Sequence, residues 1–204
     1  MMFDVHTHNH NPKWDAVVNC NTLADTKKFK RFSIGIHPWD ITPDWREELD
    51  VIEHSENVRF CTAIGETGID RANTSSNLNI ACQTEVFEEH IRLARQLSKP
   101  LIIHCVKAFD IVAGILKKCK FDNPVIFHGF RGKQEMARQL LSSGYYLSFG
   151  LRFNELSIIE AYKSRKMFLE TDDSGENINS VYKAASKALN ISPTDIEVPG
   201  IFTS

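Results

Sequence analysis

The sequence has few cysteines, almost no net charge and no long apolar run. Its 204 residues include five cysteines, and none of them forms a CxxC pair, which argues against both a disulfide framework and a zinc finger. The formal net charge of -2 gives no sign of tight nucleic-acid binding driven by bulk charge. No signal-peptide pattern opens the chain, and no stretch approaches the roughly 18 apolar residues of a membrane span. We therefore expect a soluble, cytoplasmic protein that does not engage a membrane.

The apolar residues of the chain occur in short runs. Hydrophobic residues make up 42% of the sequence, and they recur in runs rich in β-formers. Several runs are almost continuously apolar, which is typical of parallel strands covered on both faces. The runs predict eight β-strands, at 2–6, 15–20, 32–37, 58–66, 100–105, 124–129, 145–150 and 166–171.

Helical patterns lie between most of these strands, at 42–55, 84–100, 110–119 and 133–144. Alternation of strand and helix indicates right-handed βαβ units and a parallel sheet. Eight strands could close as a (β/α)8 barrel or spread as a doubly wound open sheet. No GxGxxG or GxxxxGK[ST] loop follows any strand, so the barrel is favoured. We predict an α/β fold, a compact (β/α)8 TIM barrel with a shortened first crossover, in a single domain over residues 1–204.

Polar residues interrupt the apolar runs near the carboxyl ends of the predicted strands. In a parallel barrel these ends meet at one face, where barrel enzymes build their active sites. Imidazoles and carboxylates together suit divalent metals, and a carboxylate can bridge two ions. The candidate metal ligands are His6, His8, Glu66, His104, His128 and Asp172, and His37 follows the third strand.

Each of these residues has an ordinary explanation when it is taken alone. An HxH pair near the N-terminus is more often solvated than metal-bound, a single His104 or His128 is more often a core histidine, and Glu66 could be a loop carboxylate. Residues i and i+2 of a strand point to the same side, however, so His6 and His8 can hold one ion together. It is the recurrence of such residues at equivalent positions that predicts a metal centre.

The same segments resemble the motifs of the TatD family of metal-dependent deoxyribonucleases. "DVHTH" is similar to the family's DxHxH, "GIHPWD" to GxHPH, "AIGETGID" to GEIGLD, "KPLIIHC" to PVIIHSR, "FHGFRG" to HCFSG and "FLETDDS" to LLETDSP. The matches run in order from Asp4 to about Ser174. The resemblance implies a TIM barrel of the metallo-dependent hydrolase type with two divalent metal ions, such as Mg, Mn or Zn.

The resemblance also implies roles for individual residues. One metal would be held by His6, His8, Glu66 and Asp172, and Glu66 would bridge to a second metal held by His104 and His128. His37 and Asp70 match positions that line or support the pocket. The chain departs from the family at Trp39, which replaces the second histidine of GxHPH, and at Val106, which replaces an arginine. The metal centre is therefore expected to be intact while the substrate-contacting periphery is altered.

The function predicted from these residues is hydrolysis of phosphodiester bonds in DNA or another phosphodiester substrate. Asp172 and Glu66 are the predicted catalytic residues, with Asp172 orienting or deprotonating the attacking water. His37, Arg131 and Lys133 are predicted to contact substrate, the two cations through phosphate.

Two alternatives stay open at this point. One is an amidohydrolase-type barrel enzyme that cleaves an amide or an ester such as an aminoacyl bond, although such enzymes often bridge their metals with a modified lysine where Glu66 stands here. The other is a non-catalytic metal-binding protein. No obligate protein partner is expected.

Overall fold

Eight parallel strands, in the order in which they occur in the chain, form the sheet of the protein. The computed structural model describes residues 2–73 and 79–202. The strands are β1 (Phe3–Thr7), β2 (Asp15–Cys20), β3 (Phe32–Ile34), β4 (Ala63–Asp70), β5 (Leu101–Val106), β6 (Val125–Phe127), β7 (Tyr146–Phe149) and β8 (Met167–Leu169). The sheet order is β1-β2-β3-β4-β5-β6-β7-β8, and Thr7 of β1 forms a parallel bridge with Asp172, just beyond β8. Because the last strand leads back to the first, the strand order is that of a (β/α)8 barrel and the predicted fold class is confirmed.

Six α-helices follow strands in the described residues. They are α1 (Trp45–Glu53), α2 (Ile80–Gln96), α3 (Phe109–Lys118), α4 (Gln134–Ser142), α5 (Glu155–Lys163) and α6 (Ile178–Leu189). The sequence patterns predicted the first four to within a few residues and did not predict α5 or α6. Within residues 2–73 and 79–202, no helix is long and apolar enough to cross a membrane.

The first crossover is as short as predicted, because residues 8–14 connect β1 to β2 without a helix. The predicted bounds of β4, 58–66, lie too early in the chain, since the strand is Ala63–Asp70. Val58–Phe60 form a 3-10 turn rather than the start of a strand, with the Phe60 side chain exposed. The strand instead continues to Asp70, because it pairs with β5 as far as Val106.

The chain divides into two compact units, and each has its own apolar core. One unit comprises the chain up to Val18 together with the chain from Ile126 onward, and its core includes Phe127, Phe149 and Tyr182. The hydroxyl group of Tyr182, on α6, donates to the carbonyl oxygen of Phe3 in β1 at 3.2 Å. The other unit is Asn19–Val125, in which α2 packs on β4. A single domain over 1–204 stays a prediction.

A buried histidine joins α2 to the segment that follows β3. The His90 ring is fully buried; its Nδ1 donates to the carbonyl oxygen of Val86 at 2.7 Å, and its Nε2 accepts from the backbone N–H of Ile36 at 2.9 Å. With both nitrogens used in this way the ring is neutral, and burial lowers its pKa to about 4. His90 thereby fixes the backbone immediately before His37.

Replacement of His90 by glutamine should flatten the pH dependence of stability. Between pH 6.5 and about 4 the unfolded chain binds a proton at His90 that the folded chain does not, so stability falls as the pH falls through this window. The decrease in the free energy of unfolding that is due to His90 is roughly 3 kcal/mol across this pH range. Urea unfolding of the parent and of His90→Gln at pH 7 and pH 4.5 measures it.

The matched control is His54→Gln, because the His54 side chain is exposed and the variant should lose nearly as much stability on acidification as the parent does. If His90→Gln lost as much stability on acidification as the parent, the conclusion that the His90 ring is neutral in the folded protein would be wrong.

Candidate metal centre

One cluster of ligands belongs to the unit that contains both chain ends. It consists of His6 in β1, His8 just after it, His128 after β6 and Asp172 after β8. The Oδ1 atom of Asp172 lies 3.6 Å from Nε2 of His6 and 3.6 Å from Nε2 of His8. The rings of His6 and His128 are 4.4 Å apart between centroids. Donor atoms of His6, His128 and Asp172 all lie within 4.8 Å of one another. We call these four residues the first cluster.

The spacing of the first cluster fits a shared divalent ion. Two ligand atoms that are each about 2.1 Å from a tetrahedral ion lie about 3.4 Å apart. The two distances of 3.6 Å from Asp172 to the histidine nitrogens are close to that value. Imidazole nitrogen with carboxylate oxygen is a donor set that suits zinc, manganese or iron.

Asp4 holds the segment that carries Asp172. Its carboxylate is buried and accepts from the backbone N–H of Thr171 at 3.1 Å, from the Thr171 hydroxyl at 2.7 Å and from the Trp14 indole at 3.0 Å. Burial raises the pKa of Asp4 to about 7, and the hydrogen bonds from Thr171 and Trp14 limit that rise. The backbone of Asp172 donates to the carbonyl oxygen of His6 at 3.0 Å. The loop after β8 is thus tied to β1 at both Thr171 and Asp172.

A second buried carboxylate, that of Glu170, holds the segment that carries His128. Its buried carboxylate accepts from the backbone N–H of Gly129 at 2.7 Å and from the Ser148 hydroxyl, and it lies 3.5 Å from Nδ1 of His128. Burial acts to raise the pKa of Glu170, but His128, His6 and the hydrogen bond from Ser148 together outweigh it and lower the pKa. A carboxylate that faces one nitrogen of a histidine orients the ring and leaves the other nitrogen for a metal.

A second cluster lies in the Asn19–Val125 unit and consists of His37, Glu66 and His104. The Oε1 atom of Glu66 lies 3.2 Å from Nε2 of His37 and 2.9 Å from Nδ1 of His104. Donor atoms of the three residues lie within 4.8 Å of one another. The second cluster therefore also has the donor types and the spacing that a divalent ion needs.

The backbone of β4 is shaped to place Glu66. The Glu66 N–H donates to the side-chain oxygen of Asn19 at 3.0 Å, and the Ser33 hydroxyl donates to the same oxygen at 3.1 Å. At Gly68, with φ of +141°, an added Cβ atom would lie 2.1 Å from the carbonyl oxygen of His104. Only glycine permits β4 and β5 to approach this closely beside His104.

Asp70 supports the second cluster from the end of β4. Its carboxylate accepts from the Trp39 indole at 2.8 Å and from the backbone N–H of Ala72 at 2.7 Å, and lies 3.2 Å from Nε2 of His104. Burial acts to raise the pKa of Asp70, but the hydrogen bonds from Trp39 and His104 and those from the backbone outweigh it and lower the pKa. Asp70 is therefore a buried anion that orients His104.

Within each of the two units, the structure brings predicted residues together in a cluster. His6, His8, His128 and Asp172 form the first, and Glu66 and His104 form the second together with His37, which the sequence analysis had assigned to substrate contact. Arg131 and Lys133 are both exposed on the segment between His128 and α4. The assignment of each residue as a metal ligand or a substrate contact stays a prediction.

Three supporting residues were given no role by the sequence analysis: Asp4, Glu170 and Asn19. A signal for two of them existed, because Asp4 and Glu170 are carboxylates inside or directly after the apolar runs "MFDVH" and "KMFLET". A charged residue in such a run is either buried with hydrogen-bond donors or destabilising.

Comparison with known proteins supports the fold and identifies the family. Over 96% of the chain the fold is similar to that of a solved TatD homologue from Escherichia coli K12, YJJV, with a TM-score of 0.77 and 17% identity over 93% of that structure. A TatD family hydrolase from Entamoeba histolytica is similar over the same shares, with a TM-score of 0.74 and 14% identity. The family model described as TatD related DNase matches residues 3–187. The chain belongs to the TatD-related DNase family.

Curated relatives carry a more general name. An uncharacterized metal-dependent hydrolase, BU355, from Buchnera aphidicola of Acyrthosiphon pisum is 30% identical over 80% of this chain and 69% of its own length. YabD of Bacillus subtilis, named in the same way, is 33% identical over 69% of this chain and 57% of its own length. A hydrolase from Buchnera of Baizongia pistaciae is 34% identical over 68% of the chain and 49% of its own length. The matches thus span about half to two thirds of these relatives.

Replacement of Glu170 by glutamine should weaken metal binding at the first cluster. The amide keeps the size of the side chain but loses the charge that faces His128, and loss of such a supporting carboxylate typically costs 10- to 100-fold in metal affinity. Titration with a chelator, read by elemental analysis of the retained metal, measures the affinity.

Glu176→Gln is the control, since Glu176 is exposed in the same unit. Equal metal affinity in Glu170→Gln and Glu176→Gln, with both variants folded, would contradict the role given to Glu170.

Proposed function

We propose that the protein is a metal-dependent hydrolase of phosphodiester bonds, with DNA as its substrate and two divalent ions as cofactors, one for each cluster. The observation that supports this most is the pair of clusters themselves, each with histidine nitrogens and a carboxylate oxygen within 4.8 Å, in a chain of the TatD-related DNase family. Divalent ions bound there would neutralise phosphate charge and lower the pKa of a water molecule. The identity of the metal, whether Mg, Mn or Zn, belongs to the same proposal.

The residues of the chain have distinct parts in this reaction. Asp172 orients the attacking water or accepts its proton, and Glu66 acts as a catalytic carboxylate in the second cluster. Nδ1 of His37 accepts from the backbone N–H of Trp39 at 3.1 Å, which fixes the ring with Nε2 toward Glu66 in the second cluster, where His37 contacts the substrate. Arg131 and Lys133, as exposed cations after β6, contact substrate phosphates.

Asp172→Asn should lower turnover by about 10²- to 10⁴-fold, because asparagine keeps the size and an oxygen ligand but loses the charge and the basicity. The fold should survive, since the Asp172 side chain is about a quarter exposed (26%). The measurement is the rate of cleavage of a defined single-stranded oligonucleotide at saturating metal, together with thermal unfolding.

The neighbouring Asp173 provides a matched control. It is exposed, and Asp173→Asn should keep the parent rate. If Asp173→Asn were the inactive variant, or if both variants were as active as the parent, Asp172 would not have the role proposed here.

An ester or amide substrate, such as an aminoacyl bond, is the second candidate, and a groove beside the second cluster favours it. The groove has a volume of about 570 Å³, reaches His37 and Glu66, and contains the apolar side chains of Leu23 and Val51. Its other lining residues include four carboxylates: Asp40, Asp44, Glu47 and Glu48. Carboxylates repel phosphate and attract an ammonium group. Cleavage of aminoacyl esters but not of oligonucleotides by the same preparation would favour this candidate over the first.

A cytoplasmic location is also part of the proposal. The five cysteines all lie in the described residues and none forms a disulfide, and burial raises the pKa values of Cys20 and Cys61 to about 12. Buried cysteines that form no disulfide are compatible with a reducing compartment.

A further inference from the structure

A cavity lies at the amino ends of β7 and β8, in the unit that contains both chain ends. It is lined by Tyr146 and Met167, which are the first residues of the two strands. Asp172 of the first cluster comes after the carboxyl end of β8, so the cavity is at the opposite end of this strand. Its volume of about 510 Å³ is within the range of pockets that hold small organic ligands.

One wall of the cavity is formed by residues 197–200. Buried apolar side chains anchor this segment on both sides, Ile196 directly before it and Phe202 after it. The centroid of the Phe202 ring lies 5.9 Å from that of Phe3 and 5.5 Å from that of Phe168. The wall is therefore attached to the apolar core of the unit and leaves the cavity open.

The opposite wall is the C-terminal end of α5, where Tyr162 and Lys163 are followed by Arg165 in the loop to β8. The backbone N–H of Arg165 donates to the carbonyl oxygen of Tyr162 at 2.9 Å, and that of Lys166 donates to the carbonyl oxygen of Ala161 at 3.0 Å. These two bonds satisfy terminal carbonyl groups of the helix and fix the loop that carries Arg165.

The two cations of this wall are available to an anionic ligand. Glu160, which lies one turn before Lys163, is ion-paired with Arg138 at 2.9 Å. No carboxylate among the described residues forms an ion pair with Lys163 or Arg165, although Glu197 lines the same cavity. Both cationic side chains are exposed, so an anionic group can approach them directly.

We propose that this cavity binds a small ligand that combines a planar ring with an anionic group, of the chemical class of a nucleoside monophosphate. The side chains of Tyr146 and Tyr162 provide aromatic surface for the base. Lys163 and Arg165 bind the phosphate, to which a guanidinium group can donate two parallel hydrogen bonds. The Glu197 carboxylate accepts hydrogen bonds from hydroxyl groups of the sugar.

This binding site is separate from the two clusters, and the proposal does not depend on the proposed phosphodiesterase function. Hydrogen–deuterium exchange of the metal-loaded protein, with and without adenosine 5′-monophosphate, tests it. Exchange should become slower in peptides that cover residues 162–167 and 197–202. The dependence of this protection on ligand concentration gives a Kd for the cavity itself, even if the same ligand also binds at the metal centre.

Two variants test the two halves of the recognised chemistry. Arg165→Gln should raise the Kd for adenosine 5′-monophosphate by about 10- to 100-fold, because it removes a charge-assisted hydrogen bond to the phosphate. Tyr162→Leu should raise it by about 10-fold, because it removes aromatic surface from the base. Adenosine alone and inorganic phosphate alone should each protect the two peptides much less than the complete nucleotide.

Lys183→Gln is the matched control, because Lys183 is exposed on α6 of the same unit and does not line the cavity. This variant should keep the Kd of the parent. The proposal is overturned if the parent shows no protection of these peptides, if Arg165→Gln and Tyr162→Leu bind as the parent does, or if inorganic phosphate protects as well as the nucleotide. Protection confined to peptides of the two clusters would place the nucleotide at the metal centre alone and would also overturn it.

Discussion

Hydrogen bonding of buried carboxylates is the interaction on which both clusters depend. A buried carboxylate is costly unless donors surround it, so each such residue fixes the groups that donate to it. Asp4 holds Thr171, next to Asp172, and Glu170 holds the loop that begins at His128. Asp70 does the same for His104 and Trp39 in the other unit. The candidate ligands of both clusters are thereby positioned by carboxylates outside the clusters.

This arrangement explains how short loops can carry a reactive site. The carboxyl ends of parallel strands bring histidines together, but a strand end alone does not fix a side chain to the precision that metal binding or catalysis requires. The second layer of carboxylates, with His90 and Asn19 in comparable roles beside His37 and Glu66, provides that precision. Changes in this layer are expected to alter metal affinity or rate before they unfold the protein.

The sequence predicted the strands and the candidate ligands because both are local signals. Each ligand interrupts or ends an apolar run, as His104 does in "PLIIHC". The supporting contacts could not be predicted in the same way, since Asp4 and Thr171 are 167 positions apart in the chain. Helix α5 was missed because its buried positions include Ser157 and Ala161 beside Ile158, which gives a weak apolar pattern. The proximity of His37 to Glu66 and His104 could not be predicted either, because the three residues are far apart in the chain.

The central claim is that the chain holds two divalent ions, one for each cluster. Native mass spectrometry of the protein after reconstitution with each divalent metal in turn tests it most directly. The account predicts two ions in the parent, one in His6→Ala and one in His104→Ala, with all three proteins folded. A parent that takes up no more than one ion under saturating conditions, or single variants that both retain two, would contradict it.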